Sequence, residues 1–190
     1  MSNNLRDKHQ QEIRMAFLQA ALHLILEQGY DNVTVADITR LADYGRSTFY
    51  LYFKDKEDLV WEMLLHHMQV MDEQIIDAVS HLPSPLREWR AWLMIFQDVE
   101  VQRPVFLKLN GEMSRRLRQM QKDYLNDVFE RQLRNGDYSL LTDVPPEITA
   151  RFIVGGELEI LEYWINHPEM GDAETMARYF YRLVFRQDPP

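Results

Sequence analysis

The chain has 190 residues, enough for one sizeable core or two small ones, and 46% of them are apolar, an ordinary value for a folded soluble protein. It has no cysteine, which excludes disulfides, thiol catalysis and thiolate metal sites, and no apolar run reaches membrane-spanning length. The net charge of −9 argues against strong non-specific attraction to nucleic acid, although the acid is concentrated late: residues 1–60 carry seven basic against nine acidic groups, residues 61–190 fourteen against twenty-one.

In chain order, Met1–Gln11 is polar and lacks the apolar centre of a signal peptide, so a cytoplasmic protein is expected. Ile13, Phe17, Ala20, Ala21 and Leu24 recur at helical spacing and predict a first amphipathic helix from Lys8 to Gln28, stopped by Gly29. Thr34 with Asp37 three residues on is a capping-box start for a short helix over Val35–Ala42. Asp43, Tyr44 and Gly45 supply turn chemistry, and a second short helix follows over Arg46–Phe53. A long helix runs from the KDKEDL segment to Ser80 and is ended by Pro83 and Pro85. The remainder reads helical, with no strand-like alternation: Leu86–Gln102, a short helix restarted by Pro104 through Leu109, Met113–Arg134 ended by Asn135-Gly136, Pro146–Asn166, and a last helix through Arg186 capped by Asp172. The expected fold is all-α, with an N-terminal helix-turn-helix domain over 1–55 and a second helical domain over 56–190.

Sorting the second short helix by face, at roughly 100° per residue, buries Phe49 and Phe53 and turns Arg46, Ser47, Tyr50, Leu51 and Lys54 outward. Hydrogen-bonding groups, positive charge and one apolar side chain are what a helix in a DNA major groove needs. On T34-V-A-D-I-T-R-L-A, T48-F-Y50-L-Y-F53 and K56-E-D-L59 the chain resembles the TetR family of transcriptional regulators over roughly its first third. It departs from the usual family pattern at Asp43, where glycine is common, and at Gly45, where serine is common; both substitutes are sterically acceptable. Arg46 and Ser47, with Leu51 and Tyr52 behind them, are the candidates for base edges. Thr34, Thr48, Tyr50, Lys54 and Lys56 are the candidates for phosphates.

Gly155-Gly156 inside a helix costs about 1 kcal/mol per residue in propensity and implies close approach of another helix. With the apolar stripe of the last helix it predicts a four-helix interface between two copies, drawing on Gly155, Gly156, Ile160, Trp164, Met176, Tyr179, Phe180 and Leu183. The resemblance also implies the last two helices as the dimer contact, and an effector pocket. Trp89, Trp92, Phe96, Phe106, Met113, Tyr124 and Phe152 are the candidates to line it, against the plainer reading of each as core. Glu112, Glu157 and Glu159 are expected to face water, a cationic ligand being the alternative. Glu62, His66 and His67 lack a convergent further ligand, so neither a metal nor a cofactor is expected.

Without a nucleophile triad, phosphate loop or paired carboxylates, the chain is not expected to be an enzyme. The expected function is a sequence-specific DNA-binding regulator: a ligand-responsive repressor acting as a homodimer on a pseudo-palindromic double-stranded operator, with a small-molecule effector and no membrane. A helical interaction or ligand-sequestering module that has lost DNA contact is the alternative, motivated by the acidic balance and the Asp43/Gly45 turn.

Overall fold

The computed structural model describes residues 2–110, 115–138 and 143–190. Within them are eight α-helices: α1 Ser2–Gln28, α2 Val35–Leu41, α3 Arg46–Tyr52, α4 Lys56–Val79, α5 Leu86–Asn110, α6 Arg115–Asn135, α7 Pro146–Asn166 and α8 Ala173–Phe185. A 3₁₀ turn, Pro168–Met170, separates the last two.

Local chemistry explains most of the boundaries. Thr34 Oγ1 accepts the Asp37 amide at 3.2 Å while Asp37 Oδ2 accepts the Thr34 amide at 3.1 Å, which closes the capping box that starts α2. Asp55 accepts the Asp58 amide at 2.7 Å at the start of α4, and Asp172 accepts the Thr175 amide at 2.9 Å at the start of α8. Asp43 sits at φ 59°, the left-handed backbone that the turn between α2 and α3 demands and that aspartate tolerates.

Two expected boundaries differ. The first helix begins at Ser2 rather than Lys8. Leu86–Gln102 and the short segment after Pro104 form the single helix α5, with Pro104 inside it. Both halves are anchored, by Val99 at 6% and Leu109 at 1% exposure, whereas Pro104 and Glu100 lie on the solvent side. A carbonyl deprived of its amide partner there can meet water, so burial on either side outweighs the interruption.

One apolar core joins α1, α2, α3 and the start of α4 around Phe17, Ile38, Phe49, Phe53 and Leu59. Phe17 meets Phe49 and Phe53 edge-on at 5.4 and 6.1 Å, a favoured aromatic geometry. This core continues past residue 55 through Val60 and Leu64, and takes in Leu109 and Leu117 from α5 and α6. A second core lies between α5, α6, α7 and α8 around Trp92, Phe96, Trp164 and Phe180. Helix α4 leaves the first core and packs Ile75 and Val79 against Ala91 of α5 in a smaller cluster, and Arg14 clamps it to α1 through two hydrogen bonds with the Glu62 carboxylate.

Candidate nucleic-acid interface and internal cavity

Helix α3 has seven residues and no side-chain cap at Gly45, so it is held by what it buries. Phe49 at 0% and Phe53 at 2% exposure pin its inner face, which leaves Arg46, Ser47, Tyr50, Leu51 and Lys54 outward. Leu51 is 82% exposed and Tyr50 58%, an unusual apolar and aromatic display that no fold requirement explains. Arg46 and Lys54 form no ion pair among the described residues, so both charges stand available on this face. Arg40 is exposed but pairs with Asp37 at 2.8 Å.

Three expected contacts sit differently. Lys56 is half-buried: its ammonium donates to the Tyr30 and Val33 carbonyls at 2.6 and 2.8 Å and lies 4.0 Å from the Tyr30 ring centroid. It ties the loop before α2 to the start of α4 rather than reaching outward for phosphate, because those carbonyls and the ring offer it partners inside the fold. Tyr52 leans back on the first core, with the Arg14 guanidinium 6.0 Å from its ring centroid, and so is turned from the outward face of α3. Thr34 is exposed, but its hydroxyl is engaged with Asp37 in the cap. Thr48 is half-buried beside the start of α3.

Between α4, α5, α6 and α7 lies a cavity of about 360 Å³, within the range of small-molecule sites. Trp92, Phe106 and Tyr124 line it, as do Gly155, Met68 and Met71. The other aromatic candidates are elsewhere. Trp89 and Phe96 are packed into the second core, and Phe152 is 76% exposed on the outer face of α7. A helical stripe tells that a residue faces a neighbour, but not whether the neighbour leaves a gap. Met113 and Glu112 lie outside the described residues.

The polar wall of the cavity is mostly paired. His67 Nε2 and Asp98 Oδ2 are 2.8 Å apart, and that hydrogen bond raises the imidazole pKa. Gln132 donates to Asp72 at 2.8 Å, while burial raises the Asp72 pKa. Arg118 donates to Glu162 at 3.3 Å. Glu157 is the buried acid among the exceptions. Expected to face water, it is 7% exposed on the cavity wall with no hydrogen-bond or ionic partner among the described residues, and burial pushes its carboxyl up to about 8. Glu159 is exposed at the rim. As for the metal reading, Glu62 is taken by Arg14, His67 by Asp98, and His66 faces solvent.

On the far side of α7 and α8, Phe152, Tyr163, Tyr179 and Leu183 are exposed at 76, 52, 46 and 68%. Trp164, Met176 and Phe180, expected at an interface, are buried in the chain's own second core instead, since their side of each helix meets α5. A Cβ placed on Gly155 or Gly156 meets nothing within 4 Å beyond its own stretch of helix, so among the described residues no other helix uses the missing side chains. Gly155 borders the cavity, whereas Gly156 is exposed beside the outer apolar patch.

An all-α chain whose N-terminal helix-turn-helix offers a charged, hydrogen-bonding recognition face, joined by one long helix to a hollow helical body, defines a DNA-binding transcriptional regulator rather than an enzyme. The profile of the bacterial regulatory proteins of the tetR family matches residues 17–63. The regulator AcrR of Shigella flexneri is 38% identical over 190 residues, spanning 92% of this chain and 88% of its own. The chain therefore belongs to the TetR family. Among solved structures, NalD of Pseudomonas aeruginosa, the secondary repressor of the MexAB-OprM multidrug efflux pump, is 25% identical with a TM-score of 0.65, covering 94% of this chain and 96% of its own. FadR of Bacillus subtilis in complex with stearoyl-CoA shares the fold at 18% identity and a TM-score of 0.61, covering 90% and 97%.

Proposed function

We propose that this regulator is a ligand-responsive repressor, acting in the cytoplasm as a homodimer that grips a pseudo-palindromic operator with one α3 helix per half-site. Half-sites one helical turn apart, about 34–36 Å, would demand a fixed separation of the two heads. The exposed patch of Phe152, Tyr163, Tyr179 and Leu183 supports dimerisation through α7 and α8, with Gly156 leaving room for the opposing helix. Arg46 and Ser47 face base edges, Leu51 suits a thymine methyl, and Tyr50, Lys54 and Thr48 lie toward phosphates.

The observation that carries ligand response is the path of α4. It begins four residues after α3 ends, and His67, Met68, Met71 and Ile75 on the same helix form the wall of the cavity. Its first turn is also held from the body: Arg116 of α6 donates to Asp55 at 3.1 Å and to Glu57 at 3.3 Å. A ligand that prefers a different spacing of α4, α6 and α7 thus changes the angle of the reading head. Only its differential affinity for the two arrangements drives release from DNA. Gel shifts against genomic fragments upstream of the regulator's own gene test this reading. Absence of sequence-selective binding, even at low salt, would overturn it. The interaction-module alternative predicts the same absence, and the unpaired Arg46 and Lys54 on an exposed face argue against it.

A further inference from the structure

The buried face of α7 is apolar at Ile153, Val154, Leu161, Trp164 and Ile165, and Glu157 interrupts it one turn from Ile153 and one turn from Leu161. A leucine there would bury without cost. An acid in that position, with no bonding partner among the described residues, is the kind of local inconsistency that marks a working site. Next to it the rings of Trp92, Phe129 and Tyr138 gather, with centroids 5.9, 6.4 and 5.1 Å apart for the three pairs, and all three line the same cavity as Glu157. After burial, the charge of Glu157 is the next cause that raises the Tyr138 phenol, as expected for neighbours.

We propose that the cavity takes an organic cation with an apolar body, its charged head seated against Glu157 in the aromatic corner of Trp92, Phe129 and Tyr138. This rests on the ligand-responsive reading above and names the chemistry of that ligand. Ring faces and a carboxylate attract a cation together, most strongly where water is excluded. Met68 and Met71 give the body an adaptable wall on α4. Besides Glu157 the lining carries the acids Asp72, Asp98, Glu159 and Glu162 against Arg118, Lys122 and the Asp98-bound His67, so it offers no surplus of positive charge to an anionic head. Because Glu157 holds a proton at neutral pH in the empty cavity, pairing with a permanent cation expels that proton to the buffer. The other ionisable groups around this corner are Asp72 of α4, Arg87 and Glu88 of α5, and Tyr138.

The test uses the full chain and three probes with the same ten-carbon tail, decyltrimethylammonium, 1-decanol and decanoate, followed by calorimetry and tryptophan fluorescence. The cation should bind about tenfold or more tighter than the alcohol, with decanoate weakest. Its heat of binding near pH 7 should differ between phosphate and Tris, because a proton leaves Glu157. Glu157→Gln should erase the preference for the cation and the buffer dependence, and leave the alcohol within about threefold. Gly155→Leu, which projects a side chain into the cavity, should weaken all three. Equal binding of the three heads, preference for decanoate, equal heats in both buffers, or a cation preference that survives Glu157→Gln would each overturn the proposal. If the alcohol binds in the cavity without head preference, only the cation assignment fails. If none of the probes binds, the ligand-responsive reading of the cavity fails with it.

Discussion

Replacing Glu157 by glutamine should stabilise the empty protein, and by an amount that depends on pH in a defined way. Burial lifts this carboxyl from an ordinary 4.5 to about 8. Below pH 4.5 the group is protonated in both folded and unfolded chains and glutamine is nearly equivalent. Between 4.5 and 8 the folded chain keeps a proton that the unfolded chain releases, so stability falls as pH rises, and above 8 the loss is complete. At about 1.36 kcal/mol per pKa unit the ceiling on that loss is about 5 kcal/mol. A charged Glu157 beside an open cavity can draw in water, so about 2–4 kcal/mol is the expected gain for Glu157→Gln at pH 9. Urea unfolding of both chains, at one protein concentration because association contributes to stability, measures the difference from about pH 5 to pH 9. Every other group is common to the two proteins and drops out of the difference. A difference that stays flat across this range would refute the assignment of a buried, unpartnered carboxyl.

The remaining predictions address the other parts of the molecule. Arg46→Ala should cost about 1–3 kcal/mol on the preferred operator and relax its sequence preference, whereas Lys54→Ala should weaken all sites alike and lower the salt slope by about one; binding titrations across salt separate the two. Phe152→Asp with Leu183→Arg should leave helicity intact and yield monomers by light scattering, with operator affinity lost; a dimer that persists would place the interface elsewhere. Arg116→Ala removes the body's hold on the first turn of α4. It should blunt ligand-induced release from DNA more than DNA binding or ligand binding alone, read by titrating ligand into preformed complex. Thr34→Ala opens the cap of α2 and should lower unfolding stability by about 1 kcal/mol, measured in urea.

The coupling these experiments probe follows from how little holds the reading head. Helix α3 is too short to persist alone, and its orientation is inherited from Phe49 and Phe53 in a core shared with α1 and α4. The same core receives Leu109 and Leu117 from the body, and Tyr30 donates its amide to the Lys108 carbonyl at 3.4 Å. Any rearrangement of α4 and α6 around the cavity is therefore felt at α3 through packed side chains rather than through a loose hinge.

What the amino-acid order determined alone is what a few neighbouring residues can encode. Thr34 with Asp37, Asp43 in the turn, Asp172 at a helix start and Pro83 and Pro85 after α4 each act within a turn of chain, so most of the helices and the outward face of α3 were legible before any packing was considered. Only the tertiary structure decided which neighbour each face meets, because periodicity records that a side is apolar and not what lies opposite. Phe96 fell into solid core, Trp92 beside a void and Phe152 onto an outer surface. Lys56 turned inward because the Tyr30 and Val33 carbonyls, more than twenty positions earlier, come within reach once α1 and α4 pack. Glu157 became a buried acid for the same reason: desolvation belongs to the assembled helices around a residue, and no local stretch of sequence contains it.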